Sequence, residues 1–438
     1  MEFPIDRSVI TQAQAELNIK NLANASIRDL VALVNLMEKK TGQKYVRMEM
    51  GVPGLPSPRI AIEAEHDAME RGVSAVYPNL DGLPELKYEI SRFVKLFINI
   101  DVKPANCVPT VGAMQGAFAS FLVANRTHAD RAKGTLFIDP GFNMNKLQVR
   151  ILQQPFETFD VYDYRGAKLR DKLESYLSTG QFQTILYSNP NNPTWQCFTE
   201  EELRIIGEVA TKYDVVVMED LAYFGMDFRH DYSRPGVPPY QPTVAHYTDN
   251  WMMLISSSKA FSYAGQRAGM IVVSPKLFDR TFPDLEKTFG RSRFGEALVS
   301  SALYALSSGV AHSVQWGLAA VLKAANDGEY NFVEPIREYG RKAHIVKKMF
   351  TDNGFHIVYD ADGGVPIADG FYFTVGYDHL DSERLLELFL MYGLCAITLD
   401  TTGSERQGVM RICISLLPES QFGDLEKRLI LMNNALTE

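Results

Sequence analysis

The chain has 438 residues, with 44 Lys and Arg against 53 Asp and Glu and a formal net charge of −9. Hydrophobic residues at 46% and charged ones at 22% are the balance of a globular protein and exclude a disordered or collagen-like chain. The acidic balance, with no long Lys/Arg block, excludes nucleic acid or an anionic membrane as the main partner.

At roughly 150 residues per domain, the length predicts two or three domains. The opening MEFPIDRSVI carries Glu2 and Asp6 and has no apolar centre, so no secretory signal is expected. The Pro/Gly-rich stretch GVPGLPSP at 51–58 reads as a crossing between domains. As a phosphate loop it is poor, because no GxxxxGK follows a strand there. Uncharged runs at 104–125 and 298–322 are interrupted by Pro, Gly, Gln and His, and read as buried segments rather than membrane spans. Strands are predicted at 135–139, 184–187, 215–218, 252–256 and 270–273, alternating with amphipathic stretches. One of these, over 199–213, places Leu203, Ile206, Val209 and Ala210 on one face, with Thr199 and Glu202 spaced as a capping box. Such alternation predicts an α/β domain with a mostly parallel sheet, helices on both faces, and a ligand site at the carboxyl edge. From about residue 329 the character changes. A long charged helix (332–352), strands at 355–359 and 371–375, a helix at 382–392, a strand at 409–415 and a closing helix at 421–434 predict a smaller α+β domain. The expected division is an N-terminal arm that joins the small domain (1–57), a large domain (58–328) and the small domain itself (329–438). Cys107, Cys197, Cys395 and Cys413 lie far apart with no CxxC pair and no nearby His, so neither a metal site nor a disulfide is expected, and a reducing, cytoplasmic setting fits.

Three strand ends carry chemistry. Lys259 ends an apolar strand among Ser256, Ser257 and Ser258, followed by Arg267 with glycines at 265 and 269. A lysine there can form a Schiff base or simply snorkel; the arginine can fork onto an oxyanion or serve an ion pair. Ser188-Asn-Pro-Asn-Asn-Pro-Thr194 makes an extended loop, either a plain turn or a rigid display of amide donors. Asp220 and Tyr223 follow a third apolar strand, where Asp220 is a helix cap or a buried acid. Lysine, acid, arginine, serine and backbone amides converging on one edge would suit pyridoxal 5′-phosphate (PLP), whose aldehyde, ring nitrogen and phosphate need those groups.

In these motifs the sequence resembles the fold-type I PLP-dependent aminotransferases of class I/II, the aspartate aminotransferase-like group, from about Gly51 to the C-terminal helix. The resemblance carries the Asn-Pro-x-Asn-Pro-Thr loop, Asp-x-x-Tyr, and Ser-x-x-Lys with an arginine eight residues on. It implies a large domain with a mostly parallel seven-stranded sheet and a smaller α+β domain. It also implies that Lys259 is the Schiff-base lysine and general base, that Asp220 pairs with the pyridine nitrogen, and that Asn192 and Tyr223 bond the cofactor's O3′. Ser256, Arg267 and the turn of Gly112, Ala113 and Met114 would hold the phosphate, and Phe142 would stack on the ring. Tyr77 would reach the phosphate of the neighbouring subunit, which implies a homodimer. Gly51, Asn192 and Arg411 would take the substrate, with Arg411 on its α-carboxylate. Arg291, or failing it Arg293, falls at the interval where dicarboxylate-specific relatives place an arginine reaching into the partner's site. The implied reaction is a ping-pong transfer of an amino group from an L-amino acid to a 2-oxo acid, with aspartate, glutamate or an aromatic donor.

Three positions depart from the family pattern. Trp195 stands where Gly follows Asn-Pro-Thr and is expected to narrow the mouth of the site; Ala264 replaces a Pro and Asn145 a Tyr. They bear on substrate preference more than on activity. The rival readings are a lyase on the same fold (C–S lyase or decarboxylase) and a PLP-sensing domain of a transcription regulator. The latter fits poorly, since only about 50 residues precede the resemblance and they carry no basic stripe.

Overall fold

The computed structural model describes residues 3–130 and 134–437, and the chain divides into two compact units. The larger comprises residues 55–191 and 197–336; the smaller comprises 1–54, 192–196 and 337–438. The sequence places the breaks at 57/58 and 328/329. The later second break follows from Phe332, which sits in an aromatic cluster with Phe93, Phe97, Phe224 and Phe261 of the larger unit. That residues 192–196 group with the smaller unit had no signal in the sequence.

The larger unit is built on a seven-stranded sheet: β1 Cys107–Val111, β2 Gly134–Asp139, β3 Phe156–Asp160, β4 Phe182–Ser188, β5 Val216–Leu221, β6 Trp251–Ser256 and β7 Ala268–Val273. Their order across the sheet is β1-β7-β6-β5-β4-β2-β3. Only β7 runs against its neighbours, and the other pairings are parallel. β2, β4, β6 and β7 are buried along their whole length, and their sequences accordingly do not alternate polar and apolar residues as a strand with one solvated face would. The five predicted strands are present, each somewhat longer than predicted. The sequence missed β1 and β3, the two edges. In β1 Pro109 interrupts the pattern, and an edge is where a sheet tolerates a residue with no N–H.

The uncharged run at 104–125 resolves into β1 and helix α1, Gly112–Ala124. The run at 298–322 becomes a π-helical turn, Ala297–Leu303, and parts of two helices. Phe121 and Val123 of α1 join Phe137, Leu186, Met218, Leu254, Ile271 and Phe294 in one apolar core against the sheet. No helix among the described residues is long and apolar enough to cross a membrane. Helix α2, Glu200–Tyr213, starts at the expected capping box: Thr199 accepts from the Glu202 N–H, and the Glu202 carboxylate accepts from Thr199 N (2.9 Å).

In the smaller unit four strands form an antiparallel sheet: β8 Phe355–Ile357, β9 Tyr372–Tyr377, β10 Ile397–Thr398 and β11 Met410–Cys413, in the order β10-β11-β9-β8. Helices Ser382–Met391 and Phe422–Thr437 belong to the same unit, and the N-terminal stretch contributes Val46–Arg47, paired in parallel with Leu394–Cys395. Register decides which side chains can meet on this sheet. Thr374 of β9 faces Arg411 of β11, so Tyr372, two residues away, presents its ring to the same face.

Candidate active site

The carboxyl ends of the parallel strands line up one edge of the larger unit. Ser188 pairs in register with Asp220, Asp220 with Leu254, and Ser256 with Gly269, at the ~4.8 Å strand spacing. Lys259, half-buried, stands on the short helix Ser257–Ala260 that leaves β6. Ser256 caps that helix by accepting from Ser258 N (3.1 Å), and Ser257 Oγ donates to Ala268 O (2.7 Å), so the lysine's backbone is tied to β7.

Arg267 and the start of α1 form a cradle. Gly112 has φ +66, and a Cβ there would fall 2.6 Å from Arg267 Nη2; a Cβ on Gly269 would fall 2.8 Å from Ala113 N. Both positions therefore require glycine, and through them the guanidinium lies against the opening turn of a thirteen-residue helix. Arg267 Nη1 donates to Ala264 O (2.7 Å), which orients the fork. The Ala113 and Met114 amides, the helix dipole and the arginine together suit a phosphate. Phe142 opens the helix Asn143–Ile151 just past β2, on the same edge.

Asp220 Oδ1 accepts from Ala222 N (3.0 Å), so the local turn expected of a helix cap is real. Desolvation outweighs that bond and pushes the Asp220 carboxyl up to about 6. An acid so placed gains from a cation, and a protonated ring nitrogen is one. Tyr223 follows two residues beyond β5 and is buried.

Two groups on this edge escaped the sequence reading. Asn191 Nδ2 donates to Pro140 O (2.8 Å) and tethers the Asn-Pro loop to the neighbouring strand end. Asp139 and Lys146, both buried, form an ion pair (2.7 Å), with Thr158 also donating to the carboxylate. Neither pairing follows from residue spacing: Asn191 and Pro140 are 51 positions apart, and the Asp139–Lys146 pair depends on how the helix after β2 turns back. Glu219, beside Asp220 but on the other face of β5, is fully buried and accepts from the hydroxyls of Tyr187 (2.9 Å) and Thr243. Burial pushes it from an ordinary 4.5 up to about 7. The folded chain thus binds more protons than the unfolded chain between those values, and stability falls as pH rises through that window. Glu219→Gln lacks this dependence. In urea denaturation, the wild type's advantage over Glu219→Gln should shrink from pH 5 to pH 8 by on the order of 2 kcal/mol. A gap that stays constant with pH would show that Glu219 ionises normally.

The smaller unit holds its own polar cluster. Arg411, on β11 and 2% exposed, donates from Nη1 to Asn192 Oδ1 (3.0 Å) and from Nη2 to Glu49 O (2.7 Å). Its guanidinium lies 4.3 Å over the Tyr372 ring. Nε is buried with no hydrogen-bond partner. The nearby Glu49 carboxylate is bridged by Arg47 (2.6 Å), and among the described residues no acid pairs with Arg411. A buried cation held by neutral oxygens, with a donor to spare, is built for an incoming anion. Gly51 belongs to this cluster: a Cβ there would fall 2.0 Å from the Tyr372 hydroxyl, so nothing larger than glycine fits. Trp195 does not line a mouth, contrary to the sequence reading. It is fully buried, in edge-to-face contact with Tyr372 and packed against Gly370.

Two residues stand apart. Tyr77 is 90% exposed, in a loop where His312 Nδ1 lies 3.1 Å from Val76 O. Arg291 is exposed as well. Phe282 N donates to Ser292 O (2.7 Å), and Arg280 pairs with Asp214 (2.6 Å), the residue closing α2 ahead of β5. These bonds hold Arg291 near the amino end of β5, away from Asp220 and Lys259 of its own chain. Arg293 is committed to Asp279 (2.5 Å) and Glu296 (3.7 Å).

A family model described as aminotransferase class I and II matches residues 44–422. A probable aspartate aminotransferase of Methanocaldococcus jannaschii is 26% identical over 59% of this chain and 63% of its own length. An LL-diaminopimelate aminotransferase of Natranaerobius thermophilus is 24% identical over 78% of this chain and 81% of its own. Several of the matched stretches thus span less than two thirds of the relative, 63% and 61% for two aspartate aminotransferases. Among solved structures, an alanine aminotransferase from Pyrococcus furiosus superposes with a TM-score of 0.76 at 18% identity, covering 96% of this chain and 99% of that one. A Thermus thermophilus aspartate aminotransferase variant gives 0.75 at 18%, over 93% and 96%. The fold is therefore that of the aspartate aminotransferase-like proteins.

Proposed function

Because the chain belongs to the class I and II aminotransferase family, we propose that it moves an amino group between an L-amino acid and a 2-oxo acid, with PLP as its cofactor. What carries the reading is the single sheet edge that holds Lys259, Asp220 and the anion cradle of Gly112 and Arg267. Lys259, Asp220, Tyr223, Asn192, Ser256, Arg267, Phe142 and the Gly112–Met114 turn would hold the cofactor. When bound, PLP supplies an aldehyde that condenses with amines and a ring that withdraws electrons from the substrate's Cα. Lys259 Nζ accepts the proton from Cα and returns it, as the general base and acid. Asp220, as carboxylate, keeps the ring nitrogen protonated by charge. Arg411 forks onto the α-carboxylate, and Asn192 Oδ1 fixes the plane of that fork. Tyr223 would steer the cofactor's phenolic oxygen.

The donor set equally serves a lyase, but the family and the named relatives favour transfer. A panel of amino donors with 2-oxo acids, scored by absorbance of the bound cofactor, tests the reading; release of pyruvate and ammonia without transfer would replace it with a lyase. Aspartate and glutamate head the panel because several relatives are named for aspartate. We further propose a homodimer in which exposed Tyr77 meets the partner's phosphate site and Arg291 the partner's distal carboxylate. If so, Arg291→Leu lowers the aspartate-to-phenylalanine ratio of kcat/KM by about tenfold, near 1.4 kcal/mol of discrimination. An unchanged ratio removes Arg291 as the selector.

A further inference from the structure

We propose that Trp195 is a positioning residue for the carboxylate fork of Arg411, acting through the ring of Tyr372. The inference rests on the reading of Arg411 as the carboxylate binder and adds what holds it in place.

Trp195 has φ +67, in the left-handed region, which is strained for a bulky residue and persists only where the surroundings enforce it. The surroundings are specific. A Cβ on Gly370 would lie 1.9 Å from the indole Cε2 and 2.0 Å from Nε1, so the indole is seated directly on a bare backbone. The indole and the Tyr372 ring meet edge to face, centroids 6.0 Å apart and planes at 70°. Tyr372 in turn lies beneath the Arg411 guanidinium at 4.3 Å, with its hydroxyl over Gly51. Gly370 and Tyr372 are two residues apart, and Tyr372 shares a sheet face with Arg411, so one side of the sheet carries an unbroken stack from indole to phenol to guanidinium.

The chain connectivity makes the stack more than filling. Trp195 lies three residues beyond Asn192, whose side chain accepts from Arg411. The same short segment therefore holds the arginine twice: directly by an amide oxygen, and through Tyr372 by an indole. A guanidinium held in plane on one face and at one edge can offer its remaining donors to a carboxylate without first losing side-chain freedom.

The test uses the cofactor-loaded protein and two unreactive acids, succinate and 3-phenylpropionate, with affinities from calorimetry. Trp195→Gly suits the backbone, because glycine adopts φ +67 without strain. It is expected to weaken binding of whichever acid the wild type takes by about tenfold and to raise the amino donor's KM similarly, while kcat changes by less than about threefold. Trp195→Phe, which keeps a ring against Tyr372 and a filled core, is expected to recover affinity to within about threefold. Gly370→Ala, which would displace the indole, is expected to reproduce the loss. If Trp195→Gly and Gly370→Ala only lower the melting temperature, with acid affinity at the wild-type level and lost in Arg411→Leu, the positioning role is overturned. If neither acid binds the wild type, or Arg411→Leu binds as well as it does, the reading of Arg411 itself falls.

Discussion

Lys259→Ala is expected to reduce transamination to background, a loss of at least about 10⁴-fold, while the protein remains folded and still takes up PLP. The size follows from a double duty. On the proposed reading the same amine would condense with the cofactor's aldehyde and move the Cα proton, and Lys259 is the lysine on the short helix that leaves β6. Folding should survive because Lys259 is only half-buried and the helix under it is secured by Ser256 and Ser257. Borohydride reduction of the wild type, followed by peptide mapping, should place the reduced cofactor on Lys259. Label on any other lysine would overturn the assignment. Added methylamine restoring part of the rate to Lys259→Ala would isolate the proton-transfer half of the duty.

Asp220→Asn should cost less activity than that but still about 10²-fold or more, and at the same time make the cofactor-free protein more stable at pH 8. The two effects have one cause. Burial pushes the Asp220 carboxyl from an ordinary 3.8 up to about 6, so above pH 6 the chain carries a desolvated charge. Folded Asp220 binds more protons than unfolded Asp220 between those values; its contribution to stability is present below pH 4 and lost as pH rises through 6. The asparagine variant has no such loss, so its melting temperature should exceed that of the wild type at pH 8, with the gain fading towards pH 4. A cationic ring nitrogen would compensate the charge in the wild type, and there the carboxylate would strengthen cofactor binding. Affinity for PLP should accordingly weaken in the wild type as pH falls below about 6, and be flat across that range in Asp220→Asn. Near-normal kinetics in the asparagine variant would mean that another acid serves the ring.

The sequence alone determined the frame of the larger unit. Largely apolar runs of four or five residues, turns rich in Gly and Pro, and the Thr199–Glu202 capping pair are short-range signals that survive without knowledge of the rest of the chain. Strand ends were therefore legible, and with them Lys259, Asp220 and Arg267, because each lies within a few residues of the strand that presents it. What the tertiary structure decided has a different range. Arg411 meets Asn192 across 219 positions and the Glu49 carbonyl across 362, and nothing local marks those partners. Trp195 read as a bulky residue at a mouth, but whether an indole faces solvent or core depends on the bare backbone of Gly370 and the ring of Tyr372, which arrive from the other end of the chain. Arg291 sits at a suggestive interval from Lys259, but where its segment lies was decided by the fold: a hydrogen bond at Ser292 and an ion pair between Arg280 and Asp214 hold it near the amino end of β5 of its own chain. Spacing along a chain fixes distance only within one element. Between elements, the pairing of buried surfaces and the need to satisfy every buried polar group choose the neighbours, and those choices exist only once the chain is folded.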